Sequence, residues 1–472
     1  MFRMSRISIV YCLLGFLIAA LPVQSADRIL VVTTDWESVG FLSTLPTTPP
    51  WSGNNDLVPV NSDAVARVGY GLIYIVNRYS ADNIQVVDPN SGFQIIQEFL
   101  VGGGSNPQDI ALVAPDRAYV TCHNTNDLLI VNPESGVILD SISLADFADE
   151  DGLCEMSRMH IDDGYLYVQI QRMFRQDWPN PWVPSPPSYL AVIDLATEEL
   201  VDVDSVAAGM QGIELVGLNP IAPMQIDWNT GDLLVPEAGQ YAAIDAAGIE
   251  RVDLQTWESK GMVITEEELG GEIGDFAQWS TEKGYVVISD LTYNTSLLTF
   301  DPSGVEPPET LYSPGGYVLG DVLTHQSGYL FLVDRDYYTP GVRVYDAETD
   351  ALVAGPVDTG LPPFELLVLP DAASGVEEMP IVSLLGQPFP NPARDVVRLH
   401  WTGGGMRPGL LEVFDLQGRL VRSEDLAESG AGDHLEWRGR DSAERLVSSG
   451  AYMLRVTTRG GAQESRAVRI LR

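Results

Sequence analysis

A hairpin that returns about every 45 residues constrains this chain more than any other feature. Its clearest copy lies in NPQDIALVAPDRAYVTCHNTNDLLIVNPESGVILDSISL, residues 106–144. Four short strand signals, DIALVA, RAYVT, DLLIVN and VILDSISL, are separated there by turn-forming residues. The hairpin recurs at 72–92, 284–304 and 328–350, and more divergent copies run through 164–200, around a long insertion, and 231–256. Tyr74 and Tyr119 hold the same place in successive copies.

A further strand precedes each hairpin: SDAVARV at 62, PQDIALV at 107, EMSRMHI at 155, APMQIDW at 222, IGDFAQW at 273, LGDVLTH at 319 and PPFELLV at 362. Four-stranded units of this size cannot bury both faces alone, so they stack radially. The expected fold class is therefore all-β, a seven-bladed β-propeller over residues 27–371. RILVVTT (28–34) and FELLVL (364–369) are expected to share one blade and close the ring.

Charge divides the chain. Residues 27–383 hold 12 Lys and Arg against 55 Asp and Glu, whereas residues 384–472 hold 13 Arg against 11 acids. An acidic surface repels nucleic acid and anionic lipid, so neither is expected as a partner. With Lys260 and Lys283 as the only lysines there, Schiff-base chemistry has little to draw on. At the other end, Arg3 and Arg6 precede an apolar run from Ile7 to Val23 and a small-residue exit at Ser25 and Ala26. That pattern predicts a signal peptide over 1–26 and no membrane span in the mature chain. Cys122 and Cys154 are compatible with one disulfide or with two buried thiols.

Two resemblances follow from particular residues. YIVN at 74–77 and YVTC at 119–122, each followed by a short turn and VVDP or IVNP, resemble the YVTN repeats of lactonase-like seven-bladed propellers. That architecture hosts enzymes, surface-layer proteins and binding scaffolds alike, so it implies a fold and no activity. After a linker at 372–387, residues 388–472 carry PNP at 390–392, LEVFDLQGRLV at 411–421, WRGRD at 437–441 and SGAYMLRV at 449–456. These pieces resemble the C-terminal sorting domain of type IX secretion cargo, similar to the Ig-like domain of the flagellar hook-capping protein. The resemblance implies an Ig-like β-sandwich, an outer-membrane secretion machinery as partner, and a secreted or cell-surface location. Gly450, Tyr452, Arg466, Arg469 and Arg472 are the residues it points to for sorting. The ending VRILR departs from that family, which more often closes on lysine.

Candidate sites lie where propeller loops converge. Loops between the second and third strands carry Tyr79, Phe174, Trp178, Trp182, Tyr241, Tyr293, Tyr337 and Tyr338, and the segment 33–53 adds Trp36 and Trp51. Aromatic rings with polar tips suit a partly wet surface, so an extracellular glycan or peptide is the expected ligand. Asp109, Asp275 and Asp321 repeat at the entries to the inner strands, with Asp63, Glu155 and Glu365 nearby. Such a ring suits Ca²⁺, although Asp at a strand entry also accepts turn N–H groups; no motif requires a cofactor. DFADEDG (146–152) resembles a calcium loop but breaks its spacing at Phe147. Strand alternation places Arg158 and His160 on one side, with Glu155 near, as the one candidate catalytic group. No nucleophile elbow, HExxH pair or phosphate loop is present. A non-enzymatic binding or scaffold propeller is the first expectation. A lactonase- or lyase-like enzyme at the channel mouth and a structural surface-layer protein are the alternatives.

Overall fold

The computed structural model describes residues 27–175, 182–244 and 247–371, and from there 388, 391, 393–394, 396–400, 408–415, 419–426, 434–458 and 463–472. Residues 1–26 and 372–387, expected as signal peptide and linker, lie outside the described residues, as does Trp178.

Each predicted hairpin forms, and each pairs with the strand before it. Sheet 1 joins Ala64–Gly69, Leu72–Asn77, Asn83–Asp88 and Gln94–Leu100 in chain order, all antiparallel. Sheets 2, 5 and 6 repeat this meander over 107–143, 272–312 and 319–357. Sheet 3 keeps three such strands but ends in the short pieces Glu199–Leu200 and Ile213–Glu214, both paired with Tyr189–Asp194. Its insertion folds as a small separate hairpin, Met173–Arg175 against Trp182–Pro184. Sheet 4 begins with only Gln225–Ile226, where a full strand was expected from APMQIDW. Pro223 has no N–H to give a ladder, and Gln225 instead reaches sideways, its Nε2 donating to Phe276 O at 2.6 Å. Sheet 7 is made from both ends of the region: Pro363–Leu369 pairs with Arg28–Thr33, followed by Val39–Pro46 and Asn54–Asn61.

The sheets pack face to face around a closed ring. Separate buried clusters lie between each successive pair, including Val76 with Val120 between sheets 1 and 2, and Leu332 with Val287 between 5 and 6. The seam between 6 and 7 is filled by Phe331, Val333 and Ile29, and that between 7 and 1 by Leu30, Leu42 and Ile73. Alternation explains this, since every core strand is buried on both faces and therefore reads as a nearly continuous apolar run such as LIYIVN or YLFLVD. Cys122 and Cys154 are free, buried thiols in different clusters.

The C-terminal residues form two further sheets, Val397–His400 with His434–Trp437, and a four-stranded sheet ordered Leu420–Asp425, Pro408–Asp415, Gly450–Thr458, Gln463–Ile470. Leu411, Val413, Trp437, Leu454, Val456 and Ile470 share their own core. The protein is thus an all-β chain, propeller-like first and sandwich-like at its C-terminal end. No helix among the described residues is long and apolar enough to cross a membrane.

Candidate functional site

The inner strands carry the repeated acids, and each acid reaches into the next sheet. Asp109 Oδ2 accepts the Met159 N–H at 2.9 Å, Asp275 Oδ2 that of Val322 at 3.0 Å, and Asp321 Oδ2 that of Leu366 at 2.5 Å. Glu365 Oε2 takes the Ala66 N–H at 2.7 Å, across the closing seam. These carboxylates therefore satisfy backbone donors that a meander's inner edge leaves open. Where sheets 3, 4 and 5 meet, glutamine takes the same part: Gln169 Nε2 donates to Ala222 O at 3.0 Å, and Gln225 Oε1 accepts from Gln278 N at 3.3 Å.

Arg67 sits inside this ring, its Nε 2.8 Å from Asp109 Oδ1 and its Nη1 3.0 Å from Glu365 Oε1. Both contacts hold its proton more firmly than usual, against the opposing cost of burial. Asp275 and Asp321 are close neighbours. Burial raises both carboxyls, and the charge of Asp275 adds to the rise at Asp321.

Arg158 and His160 both lie on the inner strand of sheet 3, whose ladder shifts register between Met156 and Met159. Arg158 donates to Gln108 O at 3.3 Å and stands 3.9 Å from Glu365 Oε1. Burial lowers the His160 imidazole to about 4, so the ring is neutral at pH 7. Glu155 is not with them. Its backbone takes φ 47°, which turns it out of the strand, and its carboxylate lies beside Asp149, Asp151 and Arg175.

The aromatic loops stand at the ends of second strands, and scarce arginines are interleaved with the rings. Trp36 meets Phe364 edge to face at 6.2 Å, while the Arg335 guanidinium covers Trp36 at 5.3 Å and Arg78 covers Phe364 at 5.7 Å. Arg78 in turn pairs with Asp63 and donates to Gln108 Oε1 at 3.3 Å. This continuous run of stacked groups crosses sheets 6, 7 and 1. On sheet 3, Arg175 covers Trp182 at 4.9 Å, and His123 of sheet 2 meets the same ring at 5.9 Å.

Tyr79, Tyr241, Tyr293, Tyr337 and Tyr338 are all exposed, the last two at 88% and 85% and packed edge to face on each other. Trp36 and Trp182 are also exposed, whereas Phe174 is half-buried. Trp51 is turned away into the seam between sheets 6 and 7, 5.0 Å from the Tyr329 ring. Sequence reasoning did not single out the arginines. For Arg78 and Arg335 the signal is an arginine just past the second strand, in VNR at 76–78 and LVDR at 332–335, whereas Arg172 at the same place in QIQR covers Tyr189, and Arg175 lies three residues further on.

In the C-terminal sheet, Gly450 opens a strand, and Tyr452 is buried against Trp437 with its hydroxyl donating to Ser448 O at 2.8 Å. Arg466 and Arg469 lie on the edge strand, with Arg469 exposed and its N–H held by Asn391 Oδ1 at 2.8 Å. Arg472 folds back, donating to Arg394 O at 2.5 Å and Gly439 O at 2.9 Å.

Comparison with known proteins separates the two parts. No characterised protein sequence matches the chain significantly. Among solved structures, a protein from Lactobacillus plantarum superposes with TM-score 0.51 at 13% identity, covering 73% of this chain and all of its own. A putative 6-phosphogluconolactonase from Bacteroides fragilis gives 0.47 at 12% identity, covering 73% of this chain and 99% of that one. PorZ, a surface component of the type IX secretion system of Porphyromonas gingivalis, gives 0.42 at 13% identity over 91% of this chain, which spans 63% of PorZ. At these identities the likeness concerns fold alone. Residues 387–469, by contrast, match the family model of the secretion system C-terminal sorting domain. Residues 387–469 are therefore a secretion system C-terminal sorting domain, and the protein is secreted or displayed at the cell surface.

Proposed function

We propose that the seven sheets are the blades of one propeller, residues 27–371, which binds an extracellular glycan on its aromatic face. Residues 372–387 link it to the sorting domain, which delivers it. The observation that carries this reading is the set of rings held by arginines, Arg335 on exposed Trp36, Arg78 on half-buried Phe364 and Arg175 on exposed Trp182. Rings fixed in this way lose little entropy when a sugar stacks on them, while their apolar faces stay available. The arginines are occupied in this work and partly paired with acids. Recognition therefore runs through stacking and hydroxyl hydrogen bonds and depends little on salt.

The test is a glycan array probed with the mature chain, followed by affinity measurements on the best hit for Trp36→Ala and Trp182→Ala. Each substitution is expected to weaken binding by about 1–2 kcal/mol, with little change between low and moderate salt. Unchanged affinity in both variants rules out this face. A blank array alongside capture of peptides moves the reading to a peptide ligand.

A further inference from the structure

The loop between sheets 2 and 3 and the start of the sheet 3 insertion bring three carboxylates together. One oxygen each from Asp149, Asp151 and Glu155 lies within 4.8 Å of the others. That spread is twice a Ca²⁺–oxygen bond of about 2.4 Å, the largest separation two ligands of one such ion can have. Glu155 is fully buried, yet its Oε1 accepts no hydrogen bond, and the buried Asp149 Oδ2 accepts none either. Leaving such oxygens unsatisfied among like charges is costly.

The remaining oxygens of the cluster are used. Glu155 Oε2 accepts the Met173 N–H at 3.1 Å, Asp151 Oδ2 that of Arg175 at 3.0 Å, Asp151 Oδ1 that of Leu153 at 3.1 Å, and Asp149 Oδ1 that of Asp151 at 2.9 Å. These bonds fix the three side chains and leave Glu155 Oε1 and Asp149 Oδ2 without a hydrogen-bond partner in a cluster where one oxygen of each residue lies within 4.8 Å of the others. Arg175 does not fill it: its Nε stands 3.8 Å from Glu155 Oε1, beyond hydrogen-bond reach, and is itself without a partner. Arg172 acts on Asp149 only from a distance.

We propose that Asp149, Asp151 and Glu155 form a site for one divalent, oxygen-seeking cation of the Ca²⁺ type. The donor set is all oxygen, which suits Ca²⁺ better than Zn²⁺ or Cu²⁺. The ion completes the orphaned oxygens and ties the loop 149–155 to the base of the hairpin that carries Phe174 and Trp182. The site stands independently of whether that hairpin binds a glycan.

The experiment uses the mature chain stripped with chelator, titrated with Ca²⁺ by calorimetry and with Tb³⁺ by tryptophan-sensitised emission. One saturable site is expected, with a dissociation constant on the order of 0.1–1 mM, as in extracellular Ca²⁺ modules. Asp149→Asn and Glu155→Gln should each abolish it, while Glu150→Gln, an exposed neighbour in the same loop, should leave it intact. The half-buried position of Asp149 keeps that variant informative if Glu155→Gln folds poorly. No saturable binding by the wild type in the millimolar range, or binding retained in Asp149→Asn, overturns the proposal. The second result assigns the ion to the acidic surface instead.

Discussion

Arg67 and Asp109 meet between the inner strands of sheets 1 and 2, guanidinium Nε to carboxylate Oδ1, at 2.8 Å. Asp109 is almost wholly buried, and the same arginine also holds Glu365 of sheet 7. One cation thus serves both acids, and it ties three sheets where the ring closes. Removing it by Arg67→Met takes the ion-pair partner from buried Asp109 and leaves Glu365 with only the Arg158 guanidinium at 3.9 Å, a loss expected to cost about 3–5 kcal/mol. The more exposed Arg117 to Glu198 pair should cost no more than about 1 kcal/mol when Arg117 is truncated. Urea unfolding midpoints of the two variants check the contrast, and equal losses would refute it.

A second prediction concerns pH. Glu237 is fully buried, and burial followed by the neighbouring Glu250 and Glu266 raises its carboxyl well above the ordinary range, so it is neutral in the fold. Gly217 accommodates it, since a Cβ there would stand 1.6 Å from Glu237 Oε2. A carboxyl raised in the folded state contributes stability fully below its unfolded value, about 4.3, and loses it as pH rises through the folded value. Glu237→Gln removes the titration. The variant should therefore gain stability relative to wild type as pH increases, read from melting temperatures across the pH range, and parallel curves would count against the neutral Glu237.

Much of this fold is legible in the sequence because its decisions are local. A turn such as Asp346 to Asp350, between the runs at 341–346 and 352–357, specifies a hairpin without reference to distant residues. The recurrence of Asp at inner-strand entries is legible too. What Asp275 or Asp321 touches is not, because the partner amide lies 47 or 45 residues further along, one repeat away. Glu155 escapes pattern reading for another reason. Alternation holds only inside a strand, and the left-handed backbone at Glu155 breaks it, delivering the side chain to Asp149 instead of His160. The inner strand of sheet 4 is shorter than APMQIDW predicts, since side-chain amides, which leave no periodic trace, replace part of its ladder.

The thiols give a third prediction. Burial pushes both Cys122 and Cys154 up to about 12, and each sits in a different inter-sheet core. A thiol with so little thiolate near pH 8 is a poor nucleophile. In the chain lacking residues 1–26, and with them Cys12, neither should react with a thiol–disulfide reagent in the native protein, and two equivalents should react in urea. Fast native labelling would contradict the burial, and no labelling in urea would mean a disulfide.

The fourth prediction separates folding from recognition in the sorting domain. Gln463–Ile470 is an edge strand of its sheet, paired along its length with Gly450–Thr458. It buries Val468 and Ile470 in the core while turning Arg469 outward. Deleting residues 463–472 from a reporter fused to residues 384–472 should abolish export, but it also removes core side chains. Arg469→Glu keeps Val468 and Ile470 in place and retains the backbone bond to Asn391, so the domain should remain folded, with a stability change within about 0.5 kcal/mol. If the secretion machinery reads the basic edge, this single reversal of charge stops export of a folded reporter. If export persists at the wild-type level, recognition lies elsewhere in the sandwich, and the arginines of the edge strand serve to keep it from pairing with other strands.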